Sequence, residues 1–78
     1  MEHLERITFD HNIMGGRACI RGMRITVSLI LNLIANGMTT NDIIADYPYL
    51  EREDITQVLR YAAWLADEAI YPVELATS

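Results

Sequence analysis

Near residue 26 the hydrophobic rhythm of the chain changes: before it apolar residues come in short alternating runs, and after it they recur with helical spacing. Ile7-Thr8-Phe9-Asp10 alternates apolar and polar side chains, includes β-branched residues, and predicts a short strand. Asn12 and the Gly15-Gly16 pair accept positive φ and predict a turn; Ala18-Cys19-Ile20 predicts a second strand, and Gly22 a further turn before Arg24-Ile25-Thr26. Strands this short must pair with each other or with another subunit, because an isolated hairpin is marginal in water.

In the next segment Val27, Leu29, Ile30, Leu31, Leu33 and Ile34 cover most of a helix, leaving Ser28, Asn32 and Asn36 as one polar stripe. A helix this apolar is expected at the centre of the fold, with Thr26 as its N-cap and Gly37 as the left-handed residue just past its end. Thr39-Thr40-Asn41-Asp42 has the spacing of a capping box with Asp in place of Glu, so a second helix is expected there. It presents Ile43, Ile44 and Tyr47 on one face and stops at Pro48, which has no N–H to donate. A third helix follows Leu50, its first turn holding Glu51, Glu53 and Asp54 where the macrodipole favours negative charge, and runs to about Ala69 before Pro72. Its expected core face is Ile55, Val58, Leu59, Ala62, Leu65, Ala66 and Ala69, with Gln57, Arg60, Tyr61, Trp64 and Glu68 on another.

The expected fold is mainly α, a three-helix, helix-turn-helix-like domain behind a short N-terminal β-hairpin or arm. Residues 1–26 form the arm, 27–70 the helical core and 71–78 a tail of the same domain. With 78 residues there is room for one core only. A chain this short buries about 60% of its unfolded surface and needs a disulfide, a metal or a second subunit to help it. The single Cys19 closes no intrachain disulfide and no Cys/His set has structural-zinc spacing, so no metal or cofactor is expected and a homodimer is. The amino terminus lacks a basic flank followed by an apolar run, and the stretch Leu29 to Ala35 is broken by Asn32; a soluble cytoplasmic protein with no membrane contact is expected.

Charge divides the chain in two. Of the net −5, residues 1–26 contribute +1 (Arg6, Arg17, Arg21 and Arg24 against Glu2, Glu5 and Asp10) and the remainder −6 (Arg52 and Arg60 against eight acids). Anion-binding capacity is therefore concentrated between His11 and Thr26, which holds no acid, and Arg17, Arg21 and Arg24 are the candidate nucleic-acid contacts. The competing roles for them are solvated charges on the arm, or contacts to carboxylates of a partner protein or sister subunit. Glu51, Glu53 and Asp54 would repel phosphate from the start of the third helix, which favours the arm over a conventional recognition helix.

The sets Asp10 with His3 and His11, or Cys19 with His11, match no metal-ligand or nucleophile spacing; no enzyme is expected, and Cys19 is read as a small buried apolar residue. Tyr61 and Trp64 lie three residues apart on the third helix. With Glu68 and Tyr71 they are the candidate partner-binding residues, the alternative being that the rings close the core over the first helix.

The run Asn12-Ile13-Met14-Gly15-Gly16-Arg17-Ala18-Cys19-Ile20-Arg21-Gly22-Met23-Arg24-Ile25-Thr26-Val27 resembles the family called domain of unknown function 433. So do Asn36-Gly37-Met38-Thr39, Ile43-Ile44-Ala45-Asp46-Tyr47-Pro48-Tyr49-Leu50-Glu51-Arg52-Glu53-Asp54-Ile55 and Tyr61-Ala62-Ala63 further on. The family usually has Pro at the positions of His11 and Ala18, so the resemblance implies a looser arm here. It also implies an antitoxin of a VapBC-like type II toxin–antitoxin pair, binding and neutralising a PIN-like ribonuclease toxin and contacting operator DNA. The competing expectation is a homodimeric interaction module with no nucleic-acid role.

Overall fold

A computed structural model describes residues 3–77 of the chain, with side chains described as far as Asp67. Two-residue strands β1 (Ile7–Thr8) and β2 (Cys19–Ile20) pair antiparallel, Ile7 opposite Ile20 and Thr8 opposite Cys19. A short 3-10 turn, Met14–Gly16, lies between them. Three helices follow: α1 (Val27–Ala35), α2 (Thr40–Asp46) and α3 (Arg52–Thr77). This is the mainly α architecture expected, an N-terminal hairpin before three helices. The third helix does not stop near Ala69 as expected but continues through Pro72 to Thr77, and Glu68 and Tyr71 lie beyond the described side chains.

The boundaries come from local chemistry. Thr26 Oγ1 accepts the Leu29 N–H at 3.0 Å and caps α1, which ends at Asn36 and Gly37, the latter at φ +96°. Thr39 and Asp42 form the reciprocal capping box: the Asp42 N–H donates to Thr39 Oγ1 (3.1 Å) and the Thr39 N–H to Asp42 Oδ2 (2.9 Å). Tyr47 C-caps α2 directly before Pro48. Arg52 at the head of α3 donates to Asn41 Oδ1 and ties the second and third helices together.

Ile20, Ile30, Ile43 and Val58 are fully buried where the hairpin, α1, α2 and α3 meet, and Leu4, Ile7, Ile25, Val27, Leu50 and Ile55 surround them. Each such side chain contributes about 1.5–3 kcal/mol relative to leaving it in water. Cys19 is buried in β2, as a small apolar residue would be. The face of α3 differs from the one its aliphatic spacing predicts. Leu59 (46%) and Leu65 (45%) are exposed, as is Ala66, whereas Asp54 and Gln57 are buried beside Ile55 and Val58. Apolar residues occur nearly all round this helix, so two buried polar groups that grip the hairpin decide its rotation.

Candidate functional site

The hairpin is fastened to α3 by a cluster centred on Asp54, which is 0% exposed. Arg21 meets this carboxylate with two donors, Nε to Oδ1 at 3.0 Å and Nη2 to Oδ2 at 2.9 Å, the fork geometry in which arginine binds carboxylate most strongly. Arg6 Nη1 donates to Oδ1 at 3.0 Å and also to Glu51 Oε1 at 2.7 Å. The Glu51 amide donates to Asp54 Oδ2 at 2.7 Å, so the carboxylate that receives both arginines also satisfies an otherwise orphaned N–H at the start of α3. One turn on, buried Gln57 accepts the Arg6 N–H at 2.9 Å. The basic arm and the acidic helix start, separate in the sequence, are thus one electrostatic unit, and the arm is clasped rather than loose.

Burial works against the charge on Asp54, but hydrogen bonds from Arg21, the Glu51 amide and Arg6 outweigh it and hold the carboxyl below its ordinary value of 3.8. Hydrogen bonds raise the two guanidinium groups in turn, Arg6 through Glu51 and then Asp54, Arg21 through Asp54. Asp42 is also held below 3.8, by the Thr39 amide and hydroxyl. A carboxyl depressed on folding adds stability that is present above its unfolded value and is lost as pH falls through its folded value. The expected result is a denaturation midpoint that is flat from neutral pH to about 5 and falls below about 4. Asp54→Asn should flatten that acid limb in a urea titration series; an equally steep limb in the variant would remove Asp54 from it.

Arg21 occupies the left-handed region, φ +45°, followed by Gly22 at φ +71°; these are the central residues of a turn closed by the Met23 N–H to the Ile20 carbonyl at 2.8 Å. Positive φ at both positions is what a type I′ turn requires, and Gly or Asn adopts it far more easily than Arg. The side chain explains the choice, since it reaches Asp54 and also donates to the Tyr49 carbonyl at 2.7 Å. Arg21→Gly should therefore destabilise less than Arg21→Ala, because both lose the clasp and only Gly relieves the backbone. Equal or reversed urea midpoints would show that the turn stores no strain.

Of the three candidate nucleic-acid contacts, Arg21 is engaged within the chain. Arg17 and Arg24 are exposed and have no side-chain partner among the described residues. The recognition-helix objection also weakens: Asp54 and Glu51 are matched by Arg6 and Arg21, leaving Glu53, which accepts from Gln57 at 3.3 Å. From sequence Asp54 was read only as an acid at a helix start, Gln57 as part of a second helix face and Arg6 only as one charge of the arm; the signal available for the cluster was a pair of acids three residues apart at a helix start, with arginines on a hairpin upstream.

A second surface lies along the other half of α3. Phe9, 57% exposed, meets Tyr61 at a ring separation of 6.0 Å, and Tyr61 stacks with Trp64 at 6.3 Å. Tyr61 packs against the core and also stacks in this ridge, and Trp64 is half-buried. Leu65 extends the ridge into a groove of about 230 Å³ running between α1 and α3. Trp64 itself lines a shallow depression with Arg60, Ala63 and Asp67. Among the described residues no group of three His, Cys, Asp or Glu side chains is placed to hold a metal, and no helix is long and apolar enough to cross a membrane.

A small, mainly helical domain with its N-terminal hairpin clasped to the third helix is the class these features define. The family described as Protein of unknown function (DUF433) matches residues 7–62, and the chain belongs to it. The match takes in Arg21 and Asp54 and stops short of Trp64 and Leu65. Similar in structure is a DUF433 member protein from Anabaena variabilis, a crystal structure at 2.00 Å resolution, with 27% identity and a TM-score of 0.74. The similarity covers 81% of this chain and 62% of that one, so this chain spans less than two thirds of its neighbour. No curated protein matches the chain.

Proposed function

We propose that the protein acts in the cytoplasm by binding rather than catalysis, as the antitoxin of a type II toxin–antitoxin pair that neutralises a PIN-like ribonuclease. The observation that carries this reading is the open aromatic and aliphatic ridge of Phe9, Tyr61, Trp64 and Leu65 on a domain too small to leave large rings at its surface without cost. The chain beyond residue 26 carries a net −6, and Asp67 lines the depression beside Trp64. A nuclease surface that attracts RNA is basic, so an acidic partner competes with RNA for it while aromatic anchors supply the desolvated centre of the contact. Operator binding, in this reading by a homodimer, falls to Arg24, since Arg21 is committed to Asp54 and Arg17 lines the groove between α1 and α3.

Co-expression with a PIN-like nuclease, followed by affinity capture through a tag on the nuclease, tests the reading. The expected result is recovery of a complex and rescue of growth in cells expressing the nuclease. A dimer that captures neither the nuclease nor operator DNA would support the homodimeric interaction module instead.

A further inference from the structure

The groove between α1 and α3 is bounded by two matched rows. Val27 and Leu31 lie one helical turn apart on α1, Tyr61 and Leu65 one turn apart on α3, and Ala18 beside Arg17 also lines the groove. Side chains spaced four apart form the ridges along which helices pack, and a trough between two such ridges fits a third helix rather than an extended strand, which seeks a free sheet edge. The groove wall is apolar, yet its rim holds Arg17, exposed and without a side-chain partner among the described residues. In a chain of net charge −5 this is a local positive point beside an apolar trough. A segment that fills the trough and brings a carboxylate to Arg17 satisfies both features; a basic segment satisfies only one.

We propose that this groove docks an amphipathic helix of a partner protein, with apolar side chains one turn apart seated between Leu31 and Leu65 and an Asp or Glu set against Arg17. The proposal rests on the reading that the protein acts by binding another protein, and it gives Arg17 a carboxylate to meet rather than a phosphate. Tyr61 links the trough to the aromatic ridge, so the two form one continuous surface.

Selection of a phage-displayed library of helical peptides on the intact chain, followed by fluorescence anisotropy of the enriched peptides, tests the proposal. The expected peptides carry apolar residues at i and i+4 with an acidic residue at one end. Leu65→Glu should weaken them more than tenfold. Ser28→Trp, which obstructs the rim from an exposed position without removing a core atom, should do the same if Leu65→Glu perturbs the fold. Arg17→Glu should weaken them about tenfold, and exchanging the peptide's acid for Lys should restore binding to that variant. No enrichment, peptides indifferent to these substitutions, or a dimeric mass that Leu65→Glu alone converts to monomer would each overturn the proposal, the last by giving the groove to a second copy. Capture of the nuclease by groove variants as well as by wild type would overturn this proposal while leaving the antitoxin reading intact; enrichment without nuclease capture would do the reverse.

Discussion

Asp54→Ala is expected to lower the stability of the domain by about 3 kcal/mol. Three interactions go at once: the forked contact to Arg21, the contact to Arg6 and the acceptor for the Glu51 amide at the start of α3. Breaking a fully buried ion pair costs about 3–5 kcal/mol because the partner is left unpaired. Here the side chains of Arg6 and Arg21 are 25% and 36% exposed and regain some water, which places the loss at the lower end. A domain of this length is stable by roughly 4–12 kcal/mol, so the loss is a large share of the total and corresponds to a melting temperature lower by about 12 °C or more. Asp54→Asn keeps the shape and removes the charge, and should fall between wild type and Asp54→Ala. Urea denaturation with an unchanged slope measures all three proteins. An Asp54→Ala midpoint within about 0.5 kcal/mol of wild type would mean that the clasp does not hold the hairpin.

Trp64→Ala should act on binding instead. Its ring is half-buried, stacks on Tyr61 and forms part of the open ridge, so in the proposed contact its removal would take away the central anchor while leaving the core in place. Anchors of this kind are worth about 2 kcal/mol or more when truncated, equivalent to roughly a thirtyfold loss of affinity for the nuclease. Tyr61→Ala provides the contrast: Tyr61 also packs on the core, so stability and affinity should fall together. Titration calorimetry paired with circular dichroism separates the two. A folded Trp64→Ala protein that binds like wild type would move the interface off this ridge, most directly to the exposed Arg24.

Features governed by neighbouring residues were legible in the sequence. The Thr26 cap, the Thr39–Asp42 box, the stop at Pro48 and the left-handed Gly37 each depend on chemistry within a few positions, and each stands where the spacing places it. The clasp was not legible, because Arg6 and Asp54 are 48 residues apart and Arg21 and Asp54 are 33 apart. From sequence, acids at a helix start are explained by the macrodipole alone, and three arginines without neighbouring acids suggest a free cationic arm. The rotation of α3 was missed for a related reason: a count of apolar positions assigns Asp54 and Gln57 to solvent, whereas the fold buries both to hold the hairpin and turns Leu59 and Leu65 outward. Tyr61 and Trp64 stood out as aromatics off the expected core face, and that feature led to the ridge even though the face itself was misplaced.

The central claim is that this protein silences a nuclease by occupying its surface. The direct measurement is RNA cleavage by a purified PIN-like nuclease offered as the proposed partner, at increasing ratios of the intact chain. Cleavage falling to background near equimolar protein, with the inhibition curve shifted to higher concentration by Trp64→Ala, is the predicted result. Cleavage unchanged in a large excess of the folded chain would contradict it.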